Sequence, residues 1–140
     1  MGSGKILTSD KDIQYIFKQT ATIAVVGLSP KPERDSYMVA KYLKDHGYRI
    51  IPVRPGQKEI LGEKAYASLD AIKEPVDMVN VFRRSEQIPL HAEEAIRIKP
   101  CVFWMQLGIE NIDAANALNS NGIDVVMNRC TKVEHNRLFE

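Results

Sequence analysis

Cysteine is scarce in this 140-residue chain. Cys101 and Cys130 are the two present, too few for a disulfide framework. Both sit in or beside apolar runs, where free cysteines behave as small buried hydrophobes. Three histidines and two separated cysteines leave little from which to assemble a zinc site, and no metal is expected. Long hydrophobic runs are also missing. Nothing approaches the roughly eighteen apolar residues of a membrane span, and no basic-then-apolar leader precedes the body. Charge of one sign is lacking too: 19 Lys+Arg against 18 Asp+Glu leave +1. That argues against a nucleic-acid or membrane-surface binder driven by bulk charge. A reduced, cytoplasmic protein is the expectation.

What is there is one ordinary globular domain, 44% hydrophobic and 26% charged. Residues 1–8 are expected to be disordered or an expression remnant, with Met1-Gly2-Ser3-Gly4 reading as the latter, and residues 9–140 form the domain. Five short apolar runs show almost no alternation: Thr22 to Leu28, Tyr48 to Val53, Val76 to Phe82, Cys101 to Leu107 and Ile123 to Met127. Strands apolar on both faces belong to a parallel sheet covered by helices. Between them lie helical spacings: Val39, Ala40 and Leu43; then Ile88, Ala92, Ala95 and Ile96; then Ile112, Ala115 and Leu118. Gly47 and Gly122 stand where a helix takes a left-handed residue before the next strand. A leading amphipathic helix over about Asp10 to Gln19 buries Ile13, Ile16 and Phe17. Residues 57–75 are less regular, with a short strand expected near Ala65 to Ala67 and a helical turn from Ser68. Repeated βα units with short connections predict an α/β, Rossmann-like, doubly wound parallel sheet of about five strands, helices on both faces, in a single domain.

Ligands of such sheets bind beyond the carboxyl ends of the strands, where strand order reverses. The residues just after each run are therefore the candidates. They are Gly27-Leu28-Ser29-Pro30-Lys31 with Arg34, Ser36 and Tyr37; Arg54 and Lys58; Arg83 and Arg84; Gln106 and Gly108; and Asn128, Arg129 and Cys130. Nearly every strand end carries a cation or a hydrogen-bonding group although the whole chain is near neutral. A helix beginning after Pro32 or Asp35 adds free backbone N–H groups, a ready phosphate site. The dinucleotide fingerprint is poor: Gly27 holds the first position, but Ser29 and Glu33 occupy the second and third glycine slots. Arg54 stands where an NAD site places an acid on the ribose. An arginine there suits an adenosine bearing a ribose phosphate, which leaves NADP and coenzyme A (CoA) both open.

Taken in order, IAVVGLSPKPERDSYMVAKYLKDHGYRIIPVRP, LGEKAYASL, PVDMVNVFRRSE, VFWMQLGI and VVMNRCTKVEH resemble the small single-domain CoA-binding proteins of bacteria and archaea. Those are relatives of the nucleotide-binding domain at the N-terminus of the succinyl-CoA synthetase alpha subunit. The resemblance runs from about Thr22 to Leu138. It implies CoA, or an acyl-CoA, along the carboxyl edge of a five-stranded parallel core. By position, Gly27, Leu28, Ser29 and Lys31 would wrap the pyrophosphate, with Ser36 and Tyr37 at the following helix. Val53 and Arg54 would flank the adenosine end, Phe82 and Arg83 would press on the ligand, and Gln106 would line the route toward the pantetheine. Arg54 replaces the Asn that members often carry, and Asn80 and Asn128 replace Asp. In the synthetases other domains supply the catalysis, so the resemblance implies a non-catalytic binding or regulatory protein.

Sharper chemistries find less support. Ser29 lacks the second glycine of a nucleophile elbow, since Lys31 stands there. His91-Ala92-Glu93 with Pro100-Cys101 imitates half of a zinc deaminase signature, but Trp104 occupies the place of its second cysteine. His91 and Glu93 read as a solvated helix surface. Cys130, between Arg129 and Lys132, is flanked by charge that favours thiolate, so a redox-responsive role is the alternative beside an NADP-dependent oxidoreductase.

Overall fold

The computed structural model describes residues 4–140. Its elements, in chain order, are helix α1 (Asp10–Gln19), strand β1 (Thr22–Val26), α2 (Asp35–Asp45), β2 (Arg49–Val53), the two-residue strands β3 (Glu59–Ile60) and β4 (Glu63–Lys64), β5 (Met78–Val81), α3 (Ile88–Ile98), β6 (Val102–Met105), α4 (Ile112–Ser120), β7 (Asp124–Val126) and α5 (Thr131–Phe139). Five parallel strands form one sheet in the order β2-β1-β5-β6-β7. Each expected apolar run holds one of them. Among the described residues no helix is long and apolar enough to cross a membrane.

Because side chains alternate across a strand, each apolar run supplies two cores. Ala24, Val26, Ile51, Val79, Val81, Phe103, Met105 and Val125 face one way, onto α3 and α4. Ile23, Val25, Ile50, Met78, Val102, Trp104 and Val126 face the other, onto α1, α2 and α5. Trp104 is fully buried; its ring lies 5.4 Å from that of Phe17 on α1, and its indole N–H donates to the Arg129 carbonyl at 2.7 Å. Helix α1 has the expected bounds and buries Ile13, Ile16 and Phe17. Ser9 caps it by accepting the Asp12 N–H at 3.2 Å.

Two departures from expectation have local causes. The irregular stretch holds a hairpin, β3 against β4, whose turn residues Leu61 and Gly62 both have positive φ (56° and 74°), as a two-residue hairpin loop requires. Tyr66 then pairs with Val53, where the short strand was expected, and a single 3-10 turn at Leu69–Ala71 follows Ser68. At the N-terminus, the described part of the stretch expected to be disordered lies along the free edge of β7. Ile6 bridges to Val125, Leu7 N–H donates to the Val125 carbonyl at 2.8 Å, and Lys5 N–H donates to Asp124 at 2.9 Å. Residues 1–3 lie outside the described residues.

Helix α5 has no counterpart in the sequence reading, because the face it buries is polar: Thr131, Glu134 and His135. The Asn80 amide donates to the Thr131 hydroxyl at 3.1 Å, and the Gln106 amide nitrogen donates to the same hydroxyl at 2.9 Å and to the Asn80 carbonyl oxygen. Asn80 lies within β5 and is fully buried, so its partners satisfy a group that would be costly unpaired. Farther along α5, His135 is enclosed by Phe17, Tyr42, His46 and Phe139, with its Nδ1 2.9 Å from the Tyr42 hydroxyl. Burial, with Glu140 beside it, pushes the Tyr42 phenol up to about 12, so this hydroxyl keeps its proton.

Burial, reinforced by the neighbouring His46, holds His135 below the ordinary histidine range. A histidine whose folded pKa is depressed stabilises the fold fully above its unfolded value, about 6.5, and progressively less as pH falls toward the folded one. The melting temperature is therefore expected to fall as pH drops from 7.5 to 5.5, with a shallower fall in His135→Gln. Parallel profiles for the two proteins would remove His135 as the cause. A second expectation concerns Gly27, where φ is +83° and an added Cβ would lie 2.5 Å from the Phe82 carbonyl oxygen. The left-handed conformation alone costs a side-chain-bearing residue about 1–2 kcal/mol. Gly27→Ala should lose at least that much in urea unfolding, and a variant as stable as the parent would refute the tight approach.

Candidate functional site

Strand order reverses between β1 and β5. The chain leaves β1 through α2 toward β2 on one face, and leaves β5 through α3 toward β6 on the other. The two loops part and leave a crevice at the carboxyl edge. Gly27 sits at its base: its N–H donates to the Val53 carbonyl and Phe82 N–H donates to the Val26 carbonyl, both at 2.9 Å. The ends of β2, β1 and β5 are thus locked side by side.

The loop between β1 and α2 is shaped by its own hydroxyls. Ser36 Oγ accepts the Ser29 N–H at 2.9 Å, and Ser29 Oγ accepts the Lys31 N–H at 3.1 Å. Arg34 provides no side-chain cap to α2, so the N–H groups of the helix's first turn open onto the loop.

Three cavities meet along this edge. One of 580 Å³ lies over the β1–α2 loop, lined by residues that include Gly27, Ser29, Lys31, Arg34, Ser36 and Arg54. A second, of 450 Å³, lies between the end of β2 and α3, with Val53, Arg54, Arg83, His91 and Glu94 on its walls. The third, of 850 Å³, lies between α2, the loop after β6 and the start of α5. Phe82 lines the first and third, Arg83 the second and third, and Gly27 and Arg54 the first and second. A further cavity of 470 Å³ lies at the opposite edge, by Asp77 and Asp124. Those carboxylates accept backbone N–H groups of Ala21, Thr22 and Lys5.

Charge is sorted between the two parts of the molecule. Arg49, Arg97, Arg129 and Arg137 each pair with a carboxylate. The other four arginines, Arg34, Arg54, Arg83 and Arg84, form no ion pair among the described residues, and all four line these cavities. Arg54 makes only a long contact, 3.5 Å, to the Gly27 carbonyl. Asp35 and Glu86 line the same edge and offset part of the charge. Two buried polar atoms here have no hydrogen-bond partner, Arg83 Nε and His91 Nε2. Both residues line the β2–α3 cavity. Isolated donors and acceptors of this kind call for a ligand group or an ordered water.

Of the residues singled out in the sequence, Gly27, Ser29, Lys31, Ser36, Val53, Arg54, Phe82, Arg83 and Gln106 all line the joined cavities. Leu28 and Tyr37 do not: Leu28 is fully buried in the α1–α2–α5 core, and Tyr37 packs against that core. Gln106 reaches its cavity, with its amide nitrogen already committed to Asn80 and Thr131. His91 departs from the reading as solvated surface. Its Nδ1 lies 3.0 Å from Glu94, one turn along α3, and both side chains are largely buried. An i,i+3 His–Glu pair was visible in the sequence, but its burial was not. Cys130 is the N-cap of α5 and lines the largest cavity. Cys101 is exposed at the other end of the sheet, where partial desolvation and the nearby Asp77 and Asp124 push its thiol up. No group of three or more metal-ligating side chains occurs among the described residues.

Comparison with known proteins shows the family. The chain is 49% identical over 127 residues to the uncharacterised protein YneT of Bacillus subtilis (strain 168), covering 91% of this chain and 94% of that protein. A hypothetical protein from Pyrococcus horikoshii OT3 superposes with a TM-score of 0.92 at 38% identity, covering 95% and 94% of the two chains. The ADP-forming acetate–CoA ligase of Methanocaldococcus jannaschii is 28% identical over 85 residues, 61% of this chain but 12% of the ligase. Residues 21–136 match the family described as the CoA binding domain. That span takes in every strand of the sheet and every loop lining the joined cavities, and the chain belongs to the CoA-binding domain family.

Proposed function

We propose that this protein binds CoA across the carboxyl edge of its sheet and does not turn it over. The observation that carries the reading is the sorting of arginines: the four without carboxylate partners surround the crevice of a CoA-binding domain. An anionic ligand supplies the counter-charge that the protein withholds there. In this reading the pyrophosphate lies over the Gly27-to-Lys31 loop and the first turn of α2, with Lys31 and Arg34 as charges and Ser29 and Ser36 fixing the loop. Arg54 takes the ribose 3′-phosphate. The adenosine enters the cavity between β2 and α3, beside Val53, where His91 and Arg83 hold unpartnered atoms. The pantetheine arm crosses Phe82 toward Gln106. Leu28 and Tyr37 contribute by packing, Leu28 within the core and Tyr37 against it.

A binding role accords with the commitments of the polar groups. The Ser29 and Ser36 oxygens accept backbone N–H groups, and His91 Nδ1 is held by Glu94. Hydrogen bonds to charged groups contribute about 1.5–3 kcal/mol, or roughly 10-fold to 100-fold in affinity.

Calorimetric titration with CoA, dephospho-CoA, NADP and NAD tests the assignment. CoA should bind at least 10-fold tighter than dephospho-CoA, and Arg54→Ala should erase that difference. Arg83→Ala should weaken both ligands. Equal affinity of the parent protein for CoA and dephospho-CoA would refute the 3′-phosphate site, and tighter binding of NADP would refute the ligand. Incubation with acetyl-CoA should release free thiol no faster than buffer alone; faster release would refute the non-catalytic role.

A further inference from the structure

The largest of the three cavities differs from its neighbours in what it exposes. Met38 from α2, Leu107 from the loop after β6 and Val133 from α5 all line it. Their exposures are 43%, 70% and 56%. Three separate elements thus turn large apolar side chains to water around one cavity of 850 Å³. Scattered apolar residues on a surface need no explanation, but a convergent set is the mark of a binding surface.

Several polar groups nearby are spent or directed elsewhere, although Arg83, whose Nε has no partner, also lines the cavity. The Gln106 amide nitrogen is held by Asn80 and Thr131, and the Ser85 hydroxyl accepts the Glu110 N–H. The Lys132 ammonium lies over the Tyr42 ring, 5.7 Å from its centroid. Arg84 and Glu86 are exposed, where charged heads stay hydrated. The cavity is continuous with the cationic loop cavity through Phe82 and Asp35, which line both. In the reading above the pantetheine arm enters it past Phe82 toward Gln106, so the thioester at the arm's end, and whatever it carries, is delivered into this cavity.

We infer that this cavity receives the acyl chain of a CoA thioester, and that the chain is apolar. The inference rests on the CoA-binding reading above and extends it from the cofactor to its cargo. A dicarboxylic acyl group gains nothing from the patch of Met38, Leu107 and Val133, which offers its free carboxylate no hydrogen bond; only Arg83, Arg84 and Lys132 on the cavity's other walls could receive it.

The experiment is a calorimetric series with CoA, acetyl-CoA, butanoyl-CoA, octanoyl-CoA and succinyl-CoA. A fully buried methylene is worth about 0.8 kcal/mol, close to fourfold in affinity, so a half-covered chain should give about twofold per methylene. Octanoyl-CoA is accordingly expected to bind more than 10-fold tighter than CoA, with butanoyl-CoA between them and succinyl-CoA no tighter than CoA. In the double variant Leu107→Asp, Val133→Asp the octanoyl-to-CoA ratio should collapse toward one. Both residues are exposed, and a melting curve verifies that the variant folds. If CoA binds but all chain lengths bind alike, the acyl assignment is wrong and the CoA reading stands. If none of the five binds, the CoA reading itself fails. A flat series accompanied by concentration-dependent dimerisation in sedimentation, lost in the double variant, would assign the apolar surface to a second copy of the chain and overturn the inference.

Discussion

Everything at the carboxyl edge of the sheet depends on the divergence of two neighbouring strands. β1 and β5 are paired in register from Ile23 with Met78 to Val26 with Val81, yet their following helices must cover opposite faces. Right-handed crossovers leave no other arrangement. The chain cannot close the gap it opens, so the crevice is a product of topology before any side chain is chosen. Gly27 then decides how close the strand ends come, because only a residue without a Cβ passes the Phe82 carbonyl at that distance. The cavities, the loop hydroxyls and the cations are arranged around this one narrow point.

Electrostatics adds the second layer. Net charge describes the molecule poorly, since its carboxylates are spent on some arginines and withheld from others. Arg49, Arg97 and Arg137 tie elements together at the surface through exposed pairs, each worth little to stability. Arg34, Arg54, Arg83 and Arg84 do no such work. In the proposed CoA-binding reading, an anionic ligand supplies the counter-charge these four lack.

The sheet was legible in the sequence because parallel strands are apolar on both faces and short. The positions of the cations followed from the strand ends alone. What was hidden depended on facing. Leu28 lies in the loop but is fully buried in the core, and Tyr37, on the helix that follows, packs against that core; residue adjacency carries no information about that. His91 was hidden for the converse reason: a charged partner one turn away lets a polar pair be buried on α3. Helix α5 was hidden most completely, since hydrophobic periodicity is blind to a buried face made of Thr131, Glu134 and His135. The two-residue strands β3 and β4 offer too short a pattern to read.

That polar face of α5 has a mechanical meaning. Apolar contacts have no direction, and a helix seated on them slides or rolls at small cost. The shared hydroxyl of Thr131, gripped by amides from β5 and from the residue that follows β6, acts as a detent: it favours one axial position and one rotation. Cys130, Lys132 and Val133, the next residues along, are thereby indexed against the sheet like teeth on a keyed shaft. The last wall of the cleft is set by a click rather than by a fit.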